Sequence, residues 1–403
     1  MNRRMLLQQA GGGALAAAVA WATGAEPSAA APAAPARKYR VAVIGRTGRG
    51  DYGHAVDTAW RAIPNAEVVA VADEDPKGLA AAAKRINVTQ AFADYREMLD
   101  KVRPDIVAIA PRWIDQHAEM AVAAAERGIH IFIEKPLCRS PAEADRILAA
   151  CDKAGVRLAV AHPTRYSPRV EAVRRIIAEG RIGKVLEYRA RGKEDARGGA
   201  EDLWVLGTHL FDLTHALAGR PAWCFASVTQ GGRPITKADV VDGPEGIGPI
   251  AGDAVRAMYG LPDGSTLYFN SIRKAGSGKV PRYGLWIYGT AGVIEIQEGM
   301  MPAVKVLLDP SWSAPRSGAA WQDVTSAGIA QPEPLTDPAA SDRHTRVIQD
   351  LLACIEEKRE PSGGIRANRD AVEMITAVFE SQRVGRPVTL PLETRVNPLT
   401  LLG

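Results

Sequence analysis

The sequence predicts an α/β protein in which a doubly wound parallel sheet is followed by an α+β region with a large, open, mainly antiparallel sheet. Its 403 residues, 46% hydrophobic and 24% charged, suffice for a sizeable core. In the N-terminal half, apolar strands alternate with helices, which is typical of a parallel sheet covered on both faces. In the C-terminal half, many strands carry alternating polar residues and are joined by turns, which indicates antiparallel pairing.

Five strands are predicted for the first sheet, with helices between them. The strands are YRVAVIG, AEVVAVAD, PDIVAIAP, IHIFIEKP and VRLAVAH. Helical spacing follows in HAVDTAWRAI, PKGLAAAAKRI, DYREMLD, QHAEMAVAAAERG and SPAEADRILAACDKAG. Ser140 and Pro141 predict the start of the last of these helices, because serine caps helices and proline suits their first turn. We assign residues 37–160 to this dinucleotide-type domain.

Residues 161–403 are predicted to form the second domain. Its strands are KVLEYRARG, CFASVTQGG, DAVRAMYGL, STLYFNSIR, YGLWIYG and GVIEIQ. Near the C-terminus, HTRVIQDLLACIEEK places its apolar residues on one helical face. An open sheet of this kind often buries its free face against another subunit, so we expect a homodimer or homotetramer.

Residues 1–36 are predicted to be a signal peptide followed by a linker. Arg3 and Arg4 stand side by side before Leu6 and Leu7, as in a twin-arginine signal. The apolar run that follows is too short and too rich in glycine to span a bilayer stably, so we expect no integral membrane protein. The expected partner is the twin-arginine export machinery, and the expected location is the periplasm or the extracellular space.

Charge and metal-ligand patterns exclude two classes of partner. The net charge is +4, and the basic residues are scattered without aromatic interleaving, so we expect no nucleic-acid partner. None of the cysteines forms a C-x-x-C pair, and the histidines show no H-E-x-x-H spacing. We therefore predict no metal site.

The stretch VAVIGRTGRGDYGHA predicts a nucleotide-binding loop after the first strand. A pyrophosphate needs a tight turn there, with bare backbone amides and a helix N-terminus directed at its charge. Counting from the strand end places Gly45, Thr47 and Gly50 at the three glycine positions, and Gly48 next to the threonine can supply the close approach. Asp73 ends the second strand, where a carboxylate accepts ribose hydroxyls and favours NAD over NADP.

The segment EKP follows the fourth strand at the edge where open sheets bind ligands. With the glycine loop, VVAVAD, AIAPRWIDQHAEMAVAAAERGIHIFIEKPL, GTHLFDL and YGTAG, it makes the chain resemble the Gfo/Idh/MocA oxidoreductase family from about Tyr39 to Leu390. The resemblance implies a Rossmann-type first domain. It also implies an NAD(P)-dependent oxidoreductase that acts on a hydroxyl of a carbohydrate substrate, a sugar or polyol.

The resemblance also implies the site residues. Lys135 would place its ammonium on the substrate hydroxyl and lower the pKa of that hydroxyl, and His209 would take its proton as the general base. Arg46 and Arg49 in the loop keep NADP as an alternative cofactor. The expected cofactor contacts are Gly45, Arg46, Thr47, Gly48, Arg49, Gly50, Asp73, Pro111, His117, Glu134 and Lys135. The expected substrate contacts are Lys135, Arg165, Tyr166, His209 and Asp212.

One position departs from the family pattern. The family usually has an aspartate four residues before the catalytic histidine, and this chain has Val205 there. Valine can neither pair with an imidazolium nor carry a proton. Asp212 could orient His209 from the next helical turn or have a structural role, and Asp202 and Glu201 could reach in from a loop.

Export and chemistry constrain each other. NAD is not freely available outside the cytoplasm, so an exported enzyme is expected to load its cofactor before export and to hold it tightly. Two alternatives to a dehydrogenase stay open. One is a redox-neutral glycosidase or lyase that uses bound NAD by transient oxidation and elimination. The other is a catalytically weakened binding protein, at which Val205 hints.

Overall fold

The computed structural model describes residues 37–276, 282–336 and 342–403. It confirms the predicted fold class, with one parallel sheet and one mixed, largely antiparallel sheet. The signal peptide and linker predicted for residues 1–36 lie outside the described residues. In the part of the chain that is described, no helix combines the length and the apolar character needed to cross a membrane.

Six parallel strands form the first sheet, one more than predicted. They are β1 (Tyr39–Ile44), β2 (Ala66–Ala72), β3 (Gln90–Phe92), β4 (Ile106–Ile109), β5 (His130–Ile133) and β6 (Leu158–Val160). Their order is β3-β2-β1-β4-β5-β6, so successive strands are added on one side of β1 up to β3 and on its other side from β4 onward. In this topology, ligands bind at the carboxyl ends of the strands, next to the boundary between β1 and β4.

Four regular helices accompany this sheet. They are α1 (Pro76–Ile86), α2 (Tyr95–Val102), α3 (His117–Ala125) and α4 (Pro141–Ala154). The predicted start of α4 is confirmed, because the Ser140 hydroxyl accepts a bond of 3.2 Å from the Glu143 amide and Pro141 is the first helical residue. The same capping chemistry starts α1, where the Asp75 carboxylate accepts from Gly78.

The helix predicted for residues 54–63 does not form. Turns run through most of this stretch, and a short 3-10 helix covers Ala59–Ala62. Asp51 and Ala55 have positive φ angles of 51° and 64°, which take the backbone out of the α-helical region twice. The larger apolar side chains of this stretch are still buried, and Trp60, for example, is 2% exposed.

The second sheet and its companions use thirteen further strands. These are β7 (Val185–Arg191), β8 (Trp223–Gln230), β9 (Arg233–Pro234), β10 (Val241–Gly243), β11 (Gly248–Ile250), β12 (Ala254–Gly260), β13 (Thr266–Ile272), β14 (Gly284–Gly289), β15 (Gly292–Gln297), β16 (Val304–Leu307), β17 (Gln322–Thr325), β18 (Gly328–Ile329) and β19 (Val388–Thr389). The order is β18-β17-β16-β15-β14-β7-β13-β12-β8-β19, with β9 on β8 and with β10 and β11 as a separate pair. Only β7 and β13 pair in parallel among the described strands of this sheet.

Six helices belong to the C-terminal part. They are α5 (Pro168–Ala178), α6 (Ala200–Val205), α7 (Gly207–Ala218), α8 (Ala314–Ser317), α9 (Thr345–Glu357) and α10 (Ile365–Val384). On α7, Phe211 packs against Phe269 of β13 and Tyr259 of β12, with ring centres 5.1 and 5.6 Å away. These contacts fix α7 on the inner face of the second sheet. The predicted apolar face of α9 is confirmed, because Val347, Leu351 and their neighbours are buried in the core of the first sheet.

The outer face of the second sheet carries a groove of about 490 Å³ between β7, β13 and β14. Its lining mixes charged and aromatic side chains, among them Arg189, Tyr268, Trp286 and Tyr288. The Arg189 guanidinium lies over the Tyr288 ring, 4.6 Å from its centre. The expected homodimer or homotetramer stays a prediction.

Candidate active site

The loop after β1 packs tightly at two of the predicted glycines. A Cβ atom on Gly45 would lie 2.1 Å from the Tyr52 ring, and one on Gly50 would lie 2.3 Å from the Arg112 nitrogen. Gly48 has open space at its Cβ position, but its φ angle is 80°. Glycine is therefore required here for its conformation, and the close approach of a pyrophosphate at Gly48 stays a prediction.

Asp73 lies directly after β2, as predicted, and is 2% exposed. Its carboxylate accepts bonds from the Thr47 amide at 3.1 Å, the Thr47 hydroxyl at 2.7 Å and the Tyr52 hydroxyl at 2.8 Å. The Asp75 amide donates to it as well, at 3.0 Å. The carboxylate therefore ties the loop to the sheet, and its contact with a ribose stays a prediction.

Two consecutive amides of the loop are directed at anionic oxygens. The Thr47 amide donates to Asp73, and the Gly48 amide donates to the Asp51 carboxylate at 2.9 Å. Consecutive backbone amides that hold carboxylate oxygens have the chemistry of an anion-binding site. The regular helix N-terminus expected behind them is absent, so the amides of the turn supply this property.

Arg46 and Arg49 converge on one carboxylate. Both guanidiniums lie 3.1 Å from Asp115, which follows β4, and Arg49 also lies over the Trp113 ring at 5.1 Å. Because Asp115 carries one negative charge, it offsets only one of the two guanidiniums, and NADP stays open as an alternative cofactor. The two ion pairs also attach the loop after β1 to the segment that follows β4, the neighbouring strand.

Glu134 and Lys135 follow β5 and are both buried. The Glu134 carboxylate binds the His54 ring and accepts from the His54 amide at 3.2 Å and from the Lys135 amide at 2.7 Å. Burial alone would raise the pKa of Glu134, but the bond from His54 and the charge of Lys135 lower it to about 2. Glu134 is therefore a buried carboxylate anion beside the lysine ammonium.

The Lys135 side chain points toward the second domain. Its Nζ donates to the backbone carbonyl of Val205 at 3.0 Å, and the residue is 7% exposed. Burial lowers the pKa of Lys135 below its usual value, while the charge of Glu134 acts in the opposite direction. The lysine is thus a partly desolvated acid at the end of the parallel sheet.

His209 lies on α7 and is 9% exposed. Burial and the positive charge of Lys135 hold the pKa of His209 well below its usual value, so the imidazole is neutral at neutral pH. Its Nδ1 lies 3.2 Å from the Glu298 carboxylate, and its ring packs edge-on against His162 at 5.1 Å. A buried ammonium and a neutral imidazole together can polarise a hydroxyl and take its proton.

His117 clamps two loops of the site. One ring nitrogen lies 2.8 Å from the Pro111 carbonyl oxygen, and the other lies 3.0 Å from the Pro136 carbonyl oxygen. Both carbonyls belong to segments that follow the central strands. The imidazole is fully buried, so the structure gives it a positioning role, and the cofactor contacts predicted for His117 and Pro111 stay predictions.

Of the two roles open to Asp212, the structure supports the structural one over the orientation of His209. The Asp212 carboxylate is buried and accepts from the Arg165 guanidinium at 2.9 and 3.0 Å. The Tyr166 hydroxyl donates to Asp350 at 3.1 Å. These side chains bind other parts of the protein, and their predicted contacts with substrate stay predictions.

Asp202 and Glu201, which were expected to reach His209 from a loop, lie on helix α6 instead. Asp202 accepts from the Ser271 hydroxyl at 2.5 Å and from the Glu194 amide at 3.0 Å. Glu201 is half-buried, and within the described residues no hydrogen bond joins it to His209. Neither residue takes over the role expected at Val205.

Sequence reasoning missed three residues of this cluster. Glu298 reaches His209 from the turn after β15, His54 binds Glu134, and the Tyr283 hydroxyl donates to the Leu206 carbonyl at 2.8 Å. Only the valine at the usual aspartate position signalled that another carboxylate was needed, and nothing near Glu298 in the sequence marks it as that group.

Comparisons with known proteins place both halves of the chain. Residues 39–162 match "Oxidoreductase family, NAD-binding Rossmann fold", the first domain of the Gfo/Idh/MocA group. Residues 174–390 match "Oxidoreductase family, C-terminal alpha/beta domain" of the same group. The two matches together cover most of the described chain.

Several relatives are named for carbohydrate oxidation. The chain is 31% identical to D-apiose dehydrogenase from Paraburkholderia graminis over 195 residues, which span 45% of this chain and 51% of that protein. It is 28% identical to levoglucosan dehydrogenase from Pseudarthrobacter phenanthrenivorans over 62% of this chain and 72% of that protein. A solved levoglucosan dehydrogenase structure, in complex with NADH and levoglucosan, matches with a TM-score of 0.70 and 25% identity over 88% of this chain and 100% of that one.

Proposed function

Because this chain belongs to the Gfo/Idh/MocA oxidoreductase family, we propose that it is an NAD-dependent dehydrogenase that oxidises a hydroxyl group of a sugar or polyol. The observation that carries the proposal is that Lys135 and His209 are both buried and that the charge of the Lys135 ammonium lowers the pKa of the His209 imidazole. The names of the relatives, which include a levoglucosan and an inositol dehydrogenase, support the substrate class.

The residues at the carboxyl edge of the first sheet fit NAD. The turn from Gly45 to Gly50 would hold the pyrophosphate by replacing the Asp51 carboxylate on the Gly48 amide, which shows that this amide is directed at an anionic oxygen. Lys135 follows β5 at the same edge. When bound, NAD supplies the acceptor for the hydrogen and electron pair that leave the substrate carbon.

The protein's own groups handle the hydroxyl proton. The Lys135 ammonium would donate a hydrogen bond to the substrate oxygen and stabilise the negative charge that grows on it. His209 would accept the proton, so the O–H bond breaks and an N–H bond forms on its ring. Burial favours both roles, because it holds the imidazole neutral and strengthens the electrostatic effect of the ammonium.

The test is an assay of the purified protein with NAD⁺ and a panel of aldoses, anhydrosugars and inositols. Absorbance at 340 nm is followed together with product analysis. Net NADH formation with an oxidised product is expected. Cleavage of a glycoside without net NADH would replace the proposal with the redox-neutral alternative. Ligand binding without turnover would replace it with the binding-protein alternative.

Replacing Asp51 with asparagine should strengthen NAD binding. The Asp51 carboxylate occupies the Gly48 amide and puts a negative charge where the pyrophosphate is expected. Asparagine removes the charge and tolerates the positive φ angle of this residue. The Kd for NAD⁺ should fall about fivefold, which corresponds to roughly 1 kcal/mol.

This change is measured by isothermal titration calorimetry on cofactor-free protein. Glu119→Gln is the control, because it removes an exposed carboxylate from α3 in the same domain. Weaker binding by the Asp51→Asn variant would show that the carboxylate supports the cofactor instead of competing with it.

We also propose that the chain is exported by the twin-arginine route and retains its cofactor. The adjacent Arg3 and Arg4 support export, and cofactor retention follows because free NAD is scarce outside the cytoplasm. Protein purified from the exported fraction and denatured with acid should release about one NAD(H) per chain. Cofactor-free protein that binds added NAD only weakly would contradict retention, and an Arg3→Lys, Arg4→Lys variant that is still exported would contradict the route.

A further inference from the structure

We propose that Glu298 is the carboxylate partner of His209, a positioning residue that orients the imidazole and stabilises its protonated form. This inference rests on the proposed function, in which His209 takes the proton of the substrate hydroxyl. It assigns a role to a residue of the second sheet that no motif marks.

The Glu298 carboxylate is held on two sides. Its Oε1 lies 3.2 Å from Nδ1 of His209. The same oxygen accepts a bond of 3.0 Å from the Thr164 hydroxyl, which in turn accepts from the Gly299 amide at 3.1 Å. The Glu298 side chain is 18% exposed. A carboxylate fixed in this way is a stable reference point for the ring.

Within the described residues, the other carboxylates near this cluster are committed to other partners. Asp212 binds Arg165, Asp202 binds Ser271, and Glu134 binds the His54 ring. Glu298 is the carboxylate that the described chain places within 4 Å of a His209 nitrogen. The position in the family pattern is therefore filled from another part of the fold.

The charges that face His209 make this partner important. Lys135, Arg343 and the rings of His162 and His54 all act to lower the pKa of His209. Without a carboxylate, the imidazolium formed by proton transfer would face these positive or neutral groups without a compensating negative charge. The Glu298 charge offsets them when the proton arrives.

The position of Glu298 also selects the tautomer of His209. In the part of the chain that the structure describes, Nδ1 of His209 makes no hydrogen bond, so a small rotation of the ring is needed before an Nδ1 proton points at Glu298, 3.2 Å away. Nε2 then keeps its lone pair and is the atom that takes the proton of the substrate. During the transfer, the substrate O–H bond breaks and an Nε2–H bond forms, while the Nδ1 proton stays between the ring and Glu298. No further proton acceptor is required.

The test compares Glu298→Gln with the unmodified protein. Glutamine keeps the size of the side chain and the acceptor for Thr164 but removes the charge. We expect kcat to fall about 10-fold to 100-fold with KM almost unchanged. The acidic limb of the kcat/KM profile should move about one pH unit lower, because loss of the negative charge lowers the pKa of His209.

Glu295→Gln is the matched control, since Glu295 lies on β15, the strand that leads into Glu298, and is half-buried. It should leave kcat and the pH profile unchanged. Glu298→Asp keeps the charge on a shorter side chain and should recover part of kcat and the acidic limb. If Glu298→Gln changes neither kcat nor the acidic limb, the proposal is wrong.

A second measurement separates this proposal from the proposed function. Nuclear magnetic resonance of protein labelled at histidine gives the pKa of His209 directly, with a His209→Asn variant to assign its signal. Glu298→Gln should lower that pKa even if no sugar or polyol is oxidised. An unchanged titration would overturn the pairing, whereas absence of dehydrogenase activity in the unmodified protein would overturn only the function.

Discussion

Replacing Lys135 with methionine should lower kcat/KM about a thousandfold. The ammonium is the group placed to stabilise negative charge on the substrate oxygen, and burial removes the water that would otherwise screen it. Methionine matches the length of the stem but cannot donate a hydrogen bond. Steady-state kinetics on the best substrate of the panel would measure the loss.

Folding needs a separate check for this variant. The Val205 carbonyl loses its donor from Lys135, which costs about 1–3 kcal/mol of stability in a buried site. Thermal unfolding followed by circular dichroism shows whether the fold persists at the assay temperature. Lys184→Met, at an exposed position before β7, is the matched control and should keep full activity. Activity retained in a folded Lys135→Met variant would remove the lysine from the mechanism.

Replacing His209 with asparagine should lower kcat/KM between about 100-fold and 10,000-fold. Asparagine keeps polar atoms in the cavity but has no basic nitrogen for the hydroxyl proton. His215→Asn is the control, because His215 lies on the same helix, α7, and pairs with Asp370 at 3.1 Å. A His209→Asn variant with normal kcat would mean that another base takes the proton.

The same residue sets the sign of the pH dependence. His209 must be neutral to accept a proton, and burial and Lys135 lower its pKa. Activity should therefore rise with pH along an acidic limb whose midpoint lies below about 6.5, the value of a free histidine. Burial also lowers the pKa of Lys135. Activity should therefore fall again as the pH rises further, along an alkaline limb whose midpoint lies below about 10.4, the value of a free lysine.

The parallel sheet was predictable because its signals are local. Apolar strands, helix caps such as Ser140 and the glycine at the end of β1 each act over a few residues. β3 escaped prediction because Gln90–Phe92 is only three residues long and is not buried. The helix expected at residues 54–63 failed for a non-local reason, since His54 is bound to Glu134 and its carbonyl to His344, far along the chain.

The residues of the candidate site also divide into those that local motifs predict and those that depend on the tertiary fold. Lys135 and His209 lie in the short motifs EKP and GTHLFDL, which can be recognised in the sequence without knowledge of the fold. Glu298 meets His209 only because β15 and α7 pack at one end of the second sheet, and no spacing in the sequence encodes that meeting. For Asp212 the helical spacing left an orienting and a structural role open, and only the fold shows that Arg165 takes its carboxylate.

The bond from Lys135 to the carbonyl of Val205 has an evolutionary consequence. Every amino acid carries a backbone carbonyl, so the acceptor for the lysine does not depend on which side chain occupies position 205. Selection on this contact acts on the path of the main chain, so once another carboxylate serves the histidine, the side chain at this buried position is constrained by core packing alone. Comparing residues column by column across an alignment would score a change there as a lost function, although the lysine keeps its anchor.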